Sequence, residues 1–381
     1  MADRQLRVLS VFGTRPEAVK MAPVVRRLQR TPGVESRVCV TAQHRQMLDQ
    51  VLDLFEIYPD YDLDLMQPDQ SLAEMAAAVF SGLDPVLEQA QPDWVLVQGD
   101  TTTVAAAALL SYYRRIRVGH VEAGLRTGDK WRPFPEEINR HVAGVVADLH
   151  FAPTEWARSN LLREGVPEEK IAVTGNPVID ALHAIVALPY DAARGPLADL
   201  PRERRLILVT AHRRESFGKP LESVFTALKR LAGRYASQAV ILYPVHMNPN
   251  VREPARRILG GLPNVRLVEP LDYQTMAHCM QRAYLVLTDS GGLQEEAPAL
   301  GTPVLVMREV TERPEAIEAG TARLVGTDAD RILAEASRLM DDPQAHAAMA
   351  KAANPYGDGH AAERIVDALQ AASRAQSSSV S

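Results

Sequence analysis

A loop near residue 290 places glycines beside acidic side chains. An apolar run ending at Leu287 leads into DSGGLQEE, and the glycines of this sequence let backbone N–H groups approach a ligand closely. A helix starting at about Leu293 would direct the positive end of its dipole to the same place, which favours a phosphate. Glu295 or Glu296 would then bind hydroxyl groups. A sugar nucleotide carries both kinds of group, so we predict this ligand class.

Two further carboxylates each follow a predicted strand. Asp100, in QGDTTTV, and Glu122, in GHVEAG, stand directly beyond apolar runs. Two acids at neighbouring strand ends suit chemistry that needs one protonated and one ionised group. The alternative for Asp100 is to cap the alanine-rich helix that follows, which is the commoner role at such a position. Glu122 has no partner in the surrounding sequence.

A third acidic pair opens the helix after Pro135. Glu136 and Glu137 lie four residues before Arg140 and His141, respectively. This i,i+4 spacing predicts pairing on the helix surface as the alternative to a catalytic role. The glycine-containing loop before the helix is long enough to move over a ligand.

Basic side chains that would hold an anion occur in FGTRPEAVKMAP. Arg15 would donate two parallel hydrogen bonds to a diphosphate, and Lys20 lies about one turn further along the predicted helix. The alternative is a solvated helix start with surface charges. Pro23 is expected to kink or restart this helix, because proline lacks a backbone N–H donor.

His212 and the two arginines after it, in TAHRRESFG, follow another predicted strand. They would contact a diphosphate leaving group, although a lone histidine is more often structural. No HExxH or CxxC spacing accompanies them, so we predict no metal.

The sequence GDGHAA, from Gly357, formally fits the glycine pattern of dinucleotide-binding loops. It follows Asn-Pro-Tyr rather than a strand, so the structural context of that pattern is missing. We therefore predict that the protein uses no nicotinamide cofactor.

Buried strands that alternate with helices must position these residues. The predicted strands cover residues 7–12, 37–41, 94–98, 116–120, 206–210, 239–243, 266–268, 284–288 and 303–307. The predicted helices of the first half cover residues 16–28, 45–54 and 102–114. Continuous apolar strands between helices predict parallel sheets covered on both faces, with ligands at the carboxyl ends of the strands.

A segment rich in proline, alanine and charge, residues 188–205, reads as a linker between two similar halves. We predict an α/β protein with two Rossmann-like domains, residues 1–185 and 186–359, that face each other across a cleft. A last helix, at about 360–374, is expected to cross back onto the first domain. Residues 375–381 are expected to form a disordered polar tail.

The overall composition limits the class of partner. The chain has 381 residues, 24% of them charged, and a formal net charge of −6. This charge predicts no general attraction to nucleic acid or membrane, so an anionic ligand must be held by a local basic pocket. Cys39 and Cys279 lie far apart, and no signal peptide or membrane span is evident. We expect a soluble, cytoplasmic protein.

Several long blocks together resemble the non-hydrolysing UDP-N-acetylglucosamine 2-epimerases. The blocks occur in family order and are GTRPEAVKMAPV, TGNPVID, HRRES, YPVHMNPNV, DSGGLQEEAPALGTPV, RPEA and NPYGDG. The resemblance implies a glycosyltransferase B-type fold and a homodimer. It also implies interconversion of UDP-GlcNAc and UDP-ManNAc through UDP and 2-acetamidoglucal, supplying ManNAc units for surface polysaccharide.

The resemblance also implies roles for individual residues. Positions that match the catalytic residues of the family are Asp100, Glu122, Glu136 and His212. Positions that match its substrate-binding residues are Arg15, Lys20, Ser290, Gly291, Gly292, Glu296 and Arg313. Leu271 and Met276 fall where relatives vary, which fits recognition of the uracil ring by the backbone.

Many bacterial members have a second, activating UDP-GlcNAc site. Residues that resemble its lining are Gln43, His44, Gln46, Arg213 and His246. Asp69, however, stands where relatives often carry an arginine. An acid there would repel a diphosphate, so the sequence leaves activation by substrate open.

Three other readings remain open from the sequence. A glycosyltransferase of the same fold would need an acceptor groove, and often a membrane-facing apolar patch that we do not find. A hydrolysing epimerase would release free ManNAc and UDP, and only the family blocks argue against it. A sugar-nucleotide-binding module without catalysis would not need three carboxylates.

Overall fold

The computed structural model describes residues 5–42, 45–67, 70–193, 195–198 and 200–377, with all of their side chains except those of residues 46, 47, 376 and 377. The chain divides into two compact units. The first combines Met1–Ala181 with Tyr356–Ser381, and the second is Leu182–Pro355. The ranges predicted from the sequence end close to these limits.

The first part of the chain alternates strands and helices. Its strands are β1 (Leu6–Phe12), β2 (Val34–Val40), β3 (Tyr61–Asp62), β4 (Trp94–Gln98), β5 (Arg117–Val121), β6 (Leu149–Ala152) and β7 (Ile171–Val173). Its helices are α1 (Arg15–Gln29), α2 (Arg45–Leu54), α3 (Leu72–Ala90), α4 (Thr102–Tyr113), α5 (Glu136–Val146), α6 (Glu155–Arg163) and α7 (Pro177–Val186). Within the described residues the strands form one parallel sheet of order β3-β2-β1-β4-β5-β6-β7.

The second unit repeats this pattern. Its strands are β8 (Arg205–Thr210), β9 (Ala239–Pro244), β10 (Val265–Val268), β11 (Ala283–Thr288), β12 (Val304–Val306) and β13 (Ala322–Leu324). Its helices are α8 (Lys219–Arg234), α9 (Pro249–Leu259), α10 (Tyr273–Arg282), α11 (Gly291–Ala299), α12 (Pro314–Glu318), α13 (Ala329–Asp341) and α14 (Pro343–Ala350). Across the described residues these strands form a parallel sheet of order β10-β9-β8-β11-β12-β13.

Burial of the strands explains why both sheets form. All five residues of β4 and all six of β9 are buried, as expected for parallel strands covered on both faces by helices. The helix α8 is amphipathic, and its apolar residues recur every three or four positions and pack into the core of the second unit. The prediction of an α/β protein with two Rossmann-like parts is therefore confirmed.

Two local features differ from the prediction. The helix α1 runs from Arg15 to Gln29 without interruption although Pro23 lies inside it. Buried apolar side chains on both sides of the proline, such as Met21 and Val24, hold the helix together through packing. The long helix α3 was not predicted from the sequence.

The last helix, α15 (Ala361–Ser377), belongs to the first unit. The Nε1 atom of Trp94 donates a hydrogen bond to Ser373 in this helix, and the carboxylate of Asp180 accepts hydrogen bonds from Ala361 and Ala362 at its start. The helix extends beyond the predicted end at residue 374, so residues 375–377 are helical rather than part of a disordered tail. Residues 378–381 lie outside the described part of the chain.

The predicted linker, residues 188–205, contains no helix or strand before Arg205 among its described residues. The ring of Tyr190 stacks on His278 of α10 at 4.3 Å, so the first part of this segment packs on the second unit. Among the helices that the structure describes, none combines the length and hydropathy needed to span a bilayer.

Candidate active site

Glu122 lies in a buried network at the carboxyl edge of the first sheet. Strands β4 and β5 pair Gln98 with Val121, so the residues that follow them emerge side by side. Lys20 Nζ lies 2.5 Å from Glu122 Oε1, Gln98 Nε2 donates to Oε2 at 2.5 Å, and Asn176 Nδ2 donates to Oε1 at 2.9 Å. The structure thus supplies partners that the sequence did not reveal for Glu122. It also places Lys20, predicted to bind substrate, on this carboxylate.

The backbone of Glu122 adopts φ = 63°, in the left-handed region. This conformation is uncommon for a residue with a side chain and recurs at functional sites, where surrounding contacts must hold it. Here it follows the end of β5 and turns the carboxylate into the buried network. Gly99, at the end of β4, lies beside it, and a Cβ there would be in van der Waals contact with Glu122 Oε2 at 3.6 Å.

Asp100 follows β4 and interacts with Arg140 of α5. Arg140 Nη2 donates a hydrogen bond to Asp100 Oδ2, and Asn139 Nδ2 donates one to the backbone carbonyl of Asp100 at 3.0 Å. The helix α4 is capped by Thr101, whose hydroxyl accepts from Val104 N. The alternative reading of Asp100 as the helix cap is therefore wrong. The side chain of Asp100 is 29% exposed.

Glu137 is buried, and its predicted i,i+4 partner His141 lies close to it, with His141 Nε2 3.8 Å from Glu137 Oε1. Its carboxylate accepts hydrogen bonds from the backbone N–H groups of Thr127 and Gly128 and from Arg140. It therefore ties the loop before α5 to the arginine that contacts Asp100.

Glu136 is the first residue of α5 and is half-buried. Its Oε2 atom is inaccessible to solvent and has no hydrogen-bond partner among the described residues. A buried carboxyl oxygen without a partner is costly and is typical of a functional site. The predicted contact with Arg140 is absent, because that arginine binds Asp100 and Glu137.

Arg15 opens α1 and makes no ion pair with any residue that the structure describes. The neighbouring Glu17 closes a capping box with Thr14 and also accepts a hydrogen bond from Thr101 at 2.6 Å. Burial raises the pKa of Glu17 above its usual value, and the hydrogen bonds oppose this effect. The contact with Thr101 ties the start of α1, which carries Arg15, to the residue that follows Asp100.

In the second unit, the glycine loop forms the start of a helix. The helix α11 begins at Gly291, two residues before the predicted start, with Ser290 as its N-cap. The side chain of Ser290 caps no backbone group of the helix. The backbone N–H of Ser290 donates a hydrogen bond to Thr288 Oγ1 at 2.9 Å. The N–H groups of the glycines that follow are left at the positive end of the helix, where an anion is favoured.

Two guanidinium groups flank this helix start. A Cβ at Gly291 would lie 3.8 Å from Arg213 Nη2 and 4.0 Å from Arg313 Nη2. Arg313 also donates from Nε to Glu295 Oε1, and Glu295 is buried. The sequence offered Arg213 both for a diphosphate contact and for a second site, and the structure places it with Arg313 at the glycine loop.

Glu296 is buried one turn below the glycines. Its Oε1 would lie 3.2 Å from a Cβ at Gly292, so the carboxylate fills the space beneath the first turn of α11. Because Glu295 is committed to Arg313, Glu296 is the better candidate of the two for the predicted contact with ligand hydroxyls.

His212 lies beyond the end of β8 and is oriented by Asp289. Its Nδ1 is 3.3 Å from Asp289 Oδ1, and the backbone N–H groups of His212 and Arg213 are donated to Asp289 Oδ2. Its ring stacks on His246 at 5.5 Å. Burial lowers the pKa of His212, with Asp289 opposing this effect. With Nδ1 facing a carboxylate, Nε2 is the ring nitrogen that remains for a ligand.

Of the remaining predicted site residues, some lie in the part of the chain that the structure describes and some lie outside it. Leu271 is half-buried in the loop before α10, and Met276 is half-buried in the first turn of that helix. Gln43, His44 and Asp69 lie outside the described residues, as does the side chain of Gln46. Among the described residues, no group of three or more His, Cys, Asp or Glu is arranged to hold a metal.

Sequence reasoning missed the residues that hold the candidate groups in place. These are Gln98, Arg140, Asn176 and Asp289. Asp289 directly precedes the glycine loop and so carried a positional signal. The partners of Glu122 lie 24 to 102 residues away along the chain, and no local spacing would have found them.

Comparison with known proteins gives consistent matches over nearly the whole chain. The sequence profile of the family described as UDP-N-acetylglucosamine 2-epimerase matches residues 26–370. The chain is 57% identical over 372 residues to the UDP-N-acetylglucosamine 2-epimerase of Salmonella typhimurium, covering 96% of this chain and 98% of that one.

Solved structures agree with this match. The crystal structure of UDP-GlcNAc 2-epimerase from Neisseria meningitidis bound to UDP-GlcNAc matches with a TM-score of 0.87 and 46% identity, covering 96% of this chain and 100% of that chain. The glycotransferase of kitacinnamycin matches with a TM-score of 0.63 at 14% identity, over 96% of this chain and 100% of that chain, which shows likeness of fold alone. The prediction of a glycosyltransferase B-type fold class is confirmed.

Proposed function

Because the chain belongs to the UDP-N-acetylglucosamine 2-epimerase family, we propose that it interconverts UDP-N-acetylglucosamine and UDP-N-acetylmannosamine by reversible inversion at C2, without net hydrolysis. The observation that carries this proposal is the set of acids at the carboxyl edge of the first sheet. Asp100 and Glu122 follow adjacent paired strands, and Glu136 presents a buried carboxyl oxygen without a partner among the described residues.

The chemistry explains why several carboxylates are needed. The C2–H bond of an N-acetylhexosamine lies beside no carbonyl and is barely acidic. If the C1–O bond to UDP breaks first, with its electron pair leaving on UDP, the positive charge that develops at C1 acidifies the C2 proton. A carboxylate then takes this proton, and a C1=C2 double bond forms in 2-acetamidoglucal.

The return reaction completes the inversion. A second acid delivers a proton to the opposite face of C2, and an oxygen of UDP re-forms the bond to C1. This leaves the first carboxylate protonated and the second acid ionised, and proton exchange with solvent restores both, so atoms and charge balance without an added oxidant or a metal. Acids on two faces of C2 are thus required, and Asp100, Glu122 and Glu136 are the candidates.

The second unit carries the groups suited to the leaving UDP. The start of α11 and the guanidinium groups of Arg213 and Arg313 would bind the diphosphate, because helix dipoles and cations stabilise the charge that UDP gains. His212, whose Nδ1 lies 3.3 Å from Asp289 Oδ1, would donate or accept at Nε2. Glu296 would accept hydrogen bonds from the ribose hydroxyls.

The decisive experiment is proton NMR of the purified protein with UDP-GlcNAc in D2O and no added cofactor. The expected result is UDP-ManNAc that carries deuterium at C2, with little free sugar. Free ManNAc with UDP would show a hydrolysing epimerase instead. An unchanged spectrum would contradict the proposed reaction and leave the transferase or binding-module readings.

A further inference from the structure

Three donors from separate parts of the chain converge on the carboxylate of Glu122. Lys20 comes from α1, Gln98 ends β4, and Asn176 lies in the loop between β7 and α7. Gln98 and Asn176 are 2% and 1% exposed, respectively. Buried amides of this kind are fixed by their surroundings, so they determine where the carboxylate lies.

Asn176 is itself held by the segment through which the chain returns to the first unit. Its backbone N–H is donated to the carbonyl of Tyr356 at 2.7 Å, and its Oδ1 accepts from Val178 N at 3.1 Å. Both contacts orient the side-chain amide so that Nδ2 points at Glu122. The buried ring of Tyr356 anchors the returning segment.

The backbones of two glycines cross beside this contact. A Cβ at Gly357 would lie 3.3 Å from the Cα of Gly175, and one at Gly175 would lie 3.3 Å from both Gly357 Cα and Tyr356 O. Arg364 at the start of α15 also donates to the carbonyl of Thr174 at 3.2 Å. The loop that carries Asn176 is therefore clamped by residues near the end of the chain.

We propose that Gln98 and Asn176 are positioning residues for Glu122, and that the segment Tyr356–Gly357 sets the position of Asn176. This inference rests on the proposed function, in which Glu122 transfers a proton at C2. The two amides donate hydrogen bonds to both oxygens of the carboxylate and so fix its position. Because both amides are buried, the role assigned to them acts through Glu122 rather than on the substrate.

A positioning role predicts changes in the kcat–pH profile and in KM that a merely structural role would not produce. Hydrogen bonds from neutral donors favour the ionised carboxylate, so their loss makes Glu122 easier to protonate. The acid limb of the kcat–pH profile then moves to higher pH in the direction of reaction in which Glu122 must be ionised. KM stays near its wild-type value, because the amides do not bind substrate.

The test uses Gln98→Met, which keeps the length of the side chain without a donor, and Asn176→Asp, which keeps its shape but faces Glu122 with an acceptor. The matched control is Asn264→Asp, because Asn264 is an equally buried amide that donates to the backbone carbonyls of Ala232 and Ala239 in the second unit. Rates are measured from UDP-GlcNAc and from UDP-ManNAc across pH, on protein corrected for the folded fraction.

The expected result is a fall in kcat of up to about 100-fold in both variants, with the acid limb shifted in at least one direction of reaction. The control should retain its kcat and its pH profile. Variants that lose stability yet keep both kcat and the acid limb would overturn the proposal.

A second readout does not depend on turnover. Crystal structures of Gln98→Met and Asn176→Asp should show the Glu122 carboxylate displaced from its wild-type position, whereas Asn264→Asp should not. If the wild-type protein fails to epimerise UDP-GlcNAc, the proposed function fails, and these structures still decide whether the amides position Glu122. An unmoved carboxylate in both variants would refute positioning.

The returning segment is tested by Gly357→Ala. Its φ of +125° and the 3.3 Å approach to Gly175 mean that a methyl group must push the two backbones apart. Gly261→Ala is the control, since Gly261 also has a positive φ but a Cβ there would meet nothing within 4 Å. We expect Gly357→Ala alone to reduce kcat and move the acid limb. Equal profiles for the two variants would remove the segment from the proposal.

Discussion

The three candidate acids occupy different electrostatic settings. Asp100 is hydrogen-bonded to Arg140, and Glu122 to Lys20, whereas Glu136 has a buried oxygen with no partner in the described structure. Chemistry on two faces of one carbon requires acids in different protonation states. The different partners of Asp100, Glu122 and Glu136 would allow these acids to differ in protonation state.

Replacement of single carboxylates tests their part in the reaction. We expect Asp100→Asn and Glu122→Gln each to lower kcat by about 10²–10⁴-fold, because a general acid or base is removed while the side-chain shape is kept. UDP affinity, measured by calorimetry, should change little, since the groups suited to UDP lie in the second unit. A variant with near-wild-type turnover would exclude its residue from the mechanism.

Two buried histidines make stability depend on pH. Burial lowers the pKa of His120 to about 4 and that of His150 to about 3. In the unfolded chain both would titrate near pH 6.5, so below that pH the unfolded state binds more protons than the folded state. The contribution of these two histidines to the free energy of unfolding is therefore fully present above about pH 6.5. It is lost as the pH falls towards their pKa values in the folded state.

The measurement is the urea midpoint between about pH 7 and pH 5. We expect the midpoint of His150→Gln to fall less steeply than that of the wild type, because one of the protonating groups has been removed. His183→Gln is the matched control, since His183 is exposed on α7. Parallel slopes for wild type and His150→Gln would show that His150 does not contribute.

At the scale of elements, most of the fold was predictable from the sequence, whereas the contacts that hold the candidate site residues were not. Strands such as β4 and β9 are continuous apolar runs, so their burial follows directly from the sequence. The strands β6, β7 and β13 have three or four residues, too short for a clear pattern. The site contacts depend on tertiary packing between distant segments, which no periodicity encodes.

The start of α11 shows how one element prepares a site. A β-carbon at Gly292 would come within 3.2 Å of Glu296 Oε1, so Gly292→Ala should displace this carboxylate and crowd the first turn. We expect weaker UDP binding, measured by calorimetry, with little change in unfolding temperature.

Gly233→Ala is the control, because a Cβ at this position in α8 meets nothing within 4 Å. Alanine there should stabilise the helix by about 0.5–1 kcal/mol and leave UDP affinity unchanged. Equal UDP affinity in both variants would argue against the loop as the diphosphate site.

At the scale of the whole chain, the first unit is complete only when the end of the chain has returned to it. The helix α15 packs against α1, and its residue Ser373 accepts the hydrogen bond from Trp94 in β4. Residues separated by 279 positions thus share one core. Folding of the first unit must therefore include a segment that follows the entire second unit.

Asp180 connects this returning helix to α7, and its replacement tests how much the connection contributes. Its carboxylate accepts from Ala361 N at 3.1 Å and from Ala362 N at 2.9 Å, which satisfies donors at the start of α15. We expect Asp180→Ala to lower the free energy of unfolding by about 1 kcal/mol, as for loss of a helix cap. Hydrogen exchange should become faster along α15.

The control is Asp358→Ala, which removes an exposed ion pair with Arg364 in the same segment and should cost less than about 1 kcal/mol. If both variants lose the same stability and α15 keeps its protection, Asp180 does not hold the helix, and packing alone must retain the end of the chain.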